Sequence, residues 1–166
     1  VEASSSKFNG ETYPTASIVY YDFAARGKMP AVRLTWYDGG LLPERPKEML
    51  PDEKIDKGGG VLYIGSKGKL MHDTYGAKPR LLPTTLMKDF KAPKQLFPRV
   101  GKSHELNWAD ACKGNGKANC SFEYAGPLTE TMILGVLALR SPGMKLNWDA
   151  ANMQFTNAPD VNQYVK

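Results

Sequence analysis

Two hydrophobic periods run through this sequence, and they do not alternate along it. Up to about Leu82 the apolar segments read as strands; beyond Ser103 they recur at helical spacing. A doubly wound parallel sheet would interleave the two periods throughout. Segregated elements instead predict an α+β fold: an open, mainly antiparallel β-sheet with helices packed on one face. At 166 residues the chain is long enough to bury a real core as one domain, residues 1–166.

The strand half is the more explicit. Ala16–Phe23 and Ala31–Tyr37 are rich in β-branched and aromatic residues, and Val1–Phe8 alternates less strongly. Within the second of these, Val32, Leu34 and Trp36 share one face while Arg33, Thr35 and Tyr37 share the other. That alternation predicts one buried and one wetter face. The short segment Ala24–Pro30, with Gly27, predicts an antiparallel hairpin between the two strands. Leu41–Gly60 then holds Pro43, Pro46, Pro51 and a glycine triplet, an irregular stretch of the length that is often functional or mobile. Val61–Ile64 and Lys69–His72 flank Gly65-Ser66-Lys67-Gly68 as a second hairpin, and Arg80–Leu82 adds a short strand.

The helical half begins with Ser103 as an N-cap for a helix over His104–Lys113, with Trp108, Ala111 and Cys112 on one face. A second helix has Pro127 in its first turn and apolar residues nearly all round from Leu128 to Leu139, so it should meet the sheet on one side and something else on the other. Gly135 in its middle costs ~1 kcal/mol relative to Ala, which close approach of a neighbour would explain. Leu146–Trp148 is one more short strand, and the tail from Asn157 is polar.

Charge is +5 overall, but it is concentrated: Lys78, Arg80, Lys88, Lys91, Lys94, Arg99 and Lys102 face Asp89 alone between residues 77 and 102. Pro79, Pro83, Pro93 and Pro98 interrupt the same stretch and no aromatic ladder accompanies it, so a solvated surface connection is expected there rather than a nucleic-acid site. The apolar run Met132–Leu139 is far short of the ~20 residues of a bilayer span, so no membrane partner is expected. The first residues, Val-Glu-Ala-Ser-Ser-Ser, read as a cut end of a mature protein or of a longer one.

Little in the sequence carries chemistry by itself. Gly60–Lys67 imitates a phosphate loop, but its order is Gly-Ser-Lys and its middle reads as a strand. Gly114-Asn115-Gly116 follows a helix and lacks the third glycine of a dinucleotide turn. His72 and His104 are the only histidines, and with Cys112 and Cys120 they match no metal-ligand spacing. The two cysteines are expected as free thiols, with Cys112 on a core face; a disulfide between them is the alternative. Tyr37 and Asp38, grouped with Trp36 at a strand end, suit a sugar, because rings stack on its apolar face and a carboxylate accepts from its hydroxyls. Tyr75 and Arg80 sit in another irregular stretch, and His104 heads a helix where it could line a pocket. These five are the candidate substrate-binding residues; no catalytic, cofactor or metal residue is assigned.

Taken in order, several blocks resemble a known family. They are Trp36-Tyr37-Asp38-Gly39-Gly40 with Leu42-Pro43 and Arg45-Pro46; Gly60-Val61 to Ile64-Gly65 with Lys67-Gly68-Lys69-Leu70; and Tyr75-Gly76 with Pro79-Arg80-Leu81-Leu82-Pro83. Trp108, Asp110–Gly114, Cys120-Ser121-Phe122, Tyr124–Glu130, Trp148-Asp149 and Asn152-Met153 to Thr156-Asn157 complete them. As a set they resemble the C-terminal domain of bacterial oxidoreductases of the glucose–fructose oxidoreductase and inositol dehydrogenase (Gfo/Idh/MocA) group. The resemblance implies a substrate-binding and dimerisation domain of an NAD(P)-dependent sugar or cyclitol oxidoreductase, inert alone. It implies an N-terminal Rossmann domain as partner, NAD or NADP bound there and not by this segment, and a homo-oligomer through the sheet face. The family's cofactor glycines, its Glu-Lys-Pro motif and its catalytic segment lie upstream of the matched region. Relatives often carry a twin-arginine export signal, which favours the periplasm over the cytoplasm. Some use a transient hydride step to cleave glycosidic bonds, so a glycosidase-type parent is one alternative. A stand-alone carbohydrate-binding or structural assembly domain is another.

Overall fold

Antiparallel pairing follows from the short turns. In the computed structural model, which describes residues 1–9, 11–101 and 103–165, β1 (Glu2–Ser5), β2 (Ser17–Phe23) and β3 (Val32–Asp38) form a sheet in that order. The β2–β3 turn closes where Arg26 and Met29 exchange backbone hydrogen bonds of 3.0 and 2.9 Å, with Gly27 at φ +54°. The register sets Val19 opposite Trp36 and Tyr21 opposite Leu34, so these four side chains share one face.

Two helices follow. Ser103 caps α1 (His104–Cys112), its hydroxyl accepting from the Leu106 amide at 3.2 Å. The longer α2 (Phe122–Leu139) lies on β1 and β2. Its Leu134, Leu137, Ala138 and Leu139 close over Ala3, Val19 and Tyr21, and Leu146, Phe155, Ala158 and Val161 complete the core. A two-stranded ribbon, β7 (Trp148–Asp149) with β8 (Gln154–Phe155), is tied to the middle of α2: the Trp148 indole donates to Glu130 at 2.6 Å.

The remaining strands, β4 (Val61–Gly65), β5 (Gly68–His72) and β6 (Arg80–Leu82), make a separate antiparallel sheet in sequence order. Met49, Met71 and Leu82 form its own small core, with Ile55 and Leu62 against it. The 41–60 stretch is tied down by Arg45, whose guanidinium donates to the carbonyls of Met49, Leu50 and Glu53. The chain thus makes two compact units: Val1–Leu41 with Phe97–Lys166, and Leu42–Leu96.

The α+β class and the antiparallel pairing are as the sequence predicts, with the strands divided among three sheets. Four local expectations fail. Val32, Leu34 and Trp36 are not buried: α2 covers β1 and β2 and leaves β3 open. Helix α2 starts at Phe122, so Pro127 lies inside it rather than in its first turn. The face of α1 read as core is exposed at Trp108 and Cys112, and that helix buries none of its residues. The tail is not simply polar, because a 3-10 turn at Pro159–Tyr164 sends Val161 into the core. Among the described residues no helix is long and apolar enough to cross a membrane. Lys102, the last of the basic cluster, lies outside the described residues.

Candidate functional site

Each candidate is best judged by what its backbone does with it. Tyr37 and Asp38 are neighbours on a strand and therefore project to opposite faces of the sheet. Tyr37 lies opposite Ile18, away from α2. Asp38 shares the α2 side with Trp36, and its Oδ1 accepts from the Gly39 amide at 2.8 Å. The strand-end cluster is thus Trp36 with Asp38. The period of two, applied one residue further, gives the same answer from sequence.

Tyr75 is 95% exposed. The Asp73 carboxylate builds the turn that presents it, accepting from the amides of Tyr75 (3.0 Å) and Ala77 (2.8 Å), and Gly76 supplies the positive φ of +74°. Arg80 behaves differently. It pairs with Met71 across β5 and β6, on the side of the small core, and its Nε is buried with no hydrogen-bond partner. Its charge and that of Arg45 act on Glu53, whose carboxyl is held below the usual range first by the Thr84 hydroxyl and then by the Leu50 amide. Arg80 is therefore committed to its own unit, and its buried Nε is closed to an incoming ligand.

His104 is the exposed first residue of α1. Together with Tyr37 and Asp38 it belongs to the first unit, whereas Tyr75 and Arg80 belong to the second. Cys112 and Cys120 are free and exposed. Among the described residues, no group of three His, Cys, Asp or Glu side chains could hold a metal ion.

Sequence reasoning missed a pair in the second unit. Tyr63 lies diagonally from His72 on one face of β4 and β5. The Tyr63 hydroxyl and His72 Nε2 are 3.2 Å apart, and Nδ1 is 2.5 Å from the Asp73 carbonyl oxygen. A carbonyl only accepts, so Nδ1 carries a proton, and in the neutral ring Nε2 then accepts from the phenol. That leaves the phenolic oxygen free to accept from an incoming hydroxyl. The hairpin register centred on Gly65-Ser66-Lys67-Gly68 was the signal that could have revealed the pair.

Neither glycine-rich segment that imitates a nucleotide-binding motif has the backbone for one. Gly60–Lys67 is strand and hairpin, with Val61 paired to His72 rather than wrapped round phosphate. Gly114 closes α1 instead of opening a helix after a strand. No protein-family model matches the chain, and a search of curated proteins finds no match to it.

Proposed function

We propose that this chain is the substrate-binding and subunit-contact domain of an NAD(P)-dependent sugar or cyclitol oxidoreductase of the Gfo/Idh/MocA type. The observation that carries this reading is the amount of surface left open. The chain exposes 13224 Å², whereas even two separate compact bodies of its combined mass would expose roughly 10,000 Å². Large apolar side chains contribute to the surplus, among them Trp36, Trp108, Phe122, Tyr124 and Leu128. Such a surface suits a domain that folds against further protein. The ordered block resemblance supports this family for it, and the α+β class is compatible with it.

Within that reading the nicotinamide belongs to a Rossmann domain and the present residues supply pocket walls. Tyr63 with His72, and Tyr75, offer hydrogen bonds to hydroxyls in one unit; Asp38 beside Trp36, Tyr37 and His104 do so in the other. The chain's own role is to bind and orient the carbon that exchanges a hydride. A glycosidase-type parent would use the same walls. The direct test is to read the frame upstream of Val1 and assay the encoded protein for NAD(P)H formation with cyclitols and aldoses. A G-x-G-x-x-G turn, a Glu-Lys-Pro motif and substrate-dependent NAD(P)H formation are the expected results. A start codon immediately before Val1 would remove the reading.

One observation favours a second reading, a stand-alone carbohydrate-binding domain: Trp36 is exposed on the same side of β3 as Asp38. Saturable sugar binding by the chain, unchanged by NAD(H) and lost in Trp36→Ala, is its signature.

A further inference from the structure

We infer that this chain binds a small hydroxylated anion, of the size and charge of a sugar acid or a sugar phosphate, in the cleft between residues 98–101 and the loop that follows α1. The inference stands on that cleft alone and does not depend on the oxidoreductase reading. None of the five candidate substrate-binding residues lines it. Its volume is about 360 Å³, within the range of small-molecule sites. Arg99 comes to it from the basic cluster, and Asn115, Gly116 and Lys117 come from the glycine-rich segment that no nucleotide fold absorbs.

The loop wall is held in place. Asn107, half-buried on α1, accepts from the Asn119 amide at 2.9 Å and donates to the Lys117 carbonyl at 3.4 Å. That clamp fixes the backbone of Lys117 against the helix. The acceptors around the cleft are already taken. At the end of α1 the carbonyls of Ala109, Asp110 and Ala111 receive the amides of Lys113, Gly114 and Asn115. Asp110, the one acid on the lining, has a further interaction of its own. The donors are not taken. Arg33, Lys69 and Lys145 are paired with carboxylates, whereas among the described residues the Arg99 and Lys117 side chains have no partner. Nor do the carboxamides of Asn115 and Asn119, or the amides of Gly116 and Lys117. Two cations against one acid, with uncommitted donors beside them, select a ligand that is rich in acceptors and negatively charged. The two carboxamides both donate and accept, which suits its hydroxyls. A bare inorganic ion would leave most of the cleft to water.

Amide chemical shifts of the isotope-labelled full chain, titrated with D-glucuronate and with glucose 6-phosphate, test the proposal. Saturable shifts centred on Arg99 and residues 115–119 are expected with at least one of them, and the tighter of the two identifies the oxyanion as carboxylate or phosphate. Arg99→Gln and Lys117→Gln, with their thermal transitions retained, should each weaken binding about 10-fold or more, because each removes a charge-assisted hydrogen bond. Lys67→Gln, in the β4–β5 turn, should leave it unchanged. The shift map stands even if one variant fails to fold. Absence of saturable shifts with both anions at about 20 mM, a concentration that would fill even a millimolar site, would overturn the inference. So would affinity for glucose or for inorganic phosphate equal to that for the better anion, or unchanged binding in both Arg99→Gln and Lys117→Gln.

Discussion

The hydroxyl of Tyr21 occupies the space that a side chain on Gly135 would need. A Cβ built at Gly135 would stand 2.0 Å from Tyr21 Oη and 3.2 Å from Val19 Cγ1. The helix-to-sheet contact of the first unit therefore depends on a missing methyl group. Gly135→Ala should gain about 1 kcal/mol of helix propensity and still lose about 2 kcal/mol net, because a buried ring in a packed core has nowhere to retreat. Tyr21→Phe removes the nearest atom, so the double variant should recover much of the loss. Urea denaturation of the four proteins gives the coupling directly, and simple additivity would show that α2 shifts along the sheet instead.

Tyr21 also links stability to alkaline pH. Burial raises its phenol above the ordinary value, so the unfolded chain ionises first. The favourable difference is complete below the unfolded pKa of about 10 and is lost as pH rises through the folded one. Tyr21→Phe should flatten the decline in urea midpoint above about pH 10 and change little at pH 7. An identical decline in both proteins would assign it to other groups.

Asp22 sets the opposite limb. Arg33 first and Lys145 second, at 2.6 and 2.9 Å, hold its carboxyl far below the usual carboxylate range. A depressed folded pKa means that the stabilisation is complete above the unfolded value near 4 and is lost as pH falls through the folded one. The site is open to solvent, so the effect should be small and screened by salt. Asp22→Asn should therefore lower the melting temperature at pH 7 in low salt, and the gap to the parent chain should narrow in molar salt and below about pH 4.

Trp148 and Glu130 give a sharper test of the packing between α2 and the β7–β8 ribbon. The indole N–H has a carboxylate 2.6 Å away in a partly buried position, and the Trp148 ring meets Phe155 edge-on at 5.0 Å. Glu130→Ala orphans the donor and should cost about 1–2 kcal/mol. Glu130→Gln keeps an acceptor and should cost less. A fluorescence shift on unfolding that is altered in the alanine variant alone would locate the effect at the indole.

These contacts also mark where sequence reasoning reached its limit. The hairpin pairing of β2 with β3 and of β4 with β5 was legible because alternation and short turns are local facts. The burial of a strand face was not. Whether Val32, Leu34 and Trp36 are covered depends on where α2 comes to rest, and Gly135 lets it settle on β1 and β2. Pro127 misled in the same way: proline suits a first turn, yet Ser121 and Phe122 begin the helix five residues earlier. Of the candidate site, Trp36, Tyr37 and Asp38 were read as one strand-end group, whereas the register puts Tyr37 on the opposite face from the other two. The Tyr63–His72 pair went unseen because it spans two strands.

The turn that follows β3 allows Asp38 to be separated into its two roles. Gly39 and Gly40 both have positive φ, +68° and +83°, but only Gly39 is hemmed in: a Cβ there would lie 2.0 Å from the Thr15 carbonyl oxygen, whereas at Gly40 nothing lies within 4 Å. Gly40→Ala should therefore cost about 1 kcal/mol, the left-handed penalty alone. Gly39→Ala should cost at least about 2 kcal/mol more, since backbone must move. Asp38 caps this turn through the Gly39 amide, so Asp38→Ala should destabilise by about 1 kcal/mol. Asp38→Asn retains an acceptor oxygen and should be close to neutral. If Asp38 also receives a sugar hydroxyl, Asp38→Asn should weaken ligand binding while leaving the urea midpoint in place. Equal loss of binding in Asn and Ala variants that differ in stability would assign that loss to the missing charge, and unchanged binding in both would leave Asp38 as a turn residue only.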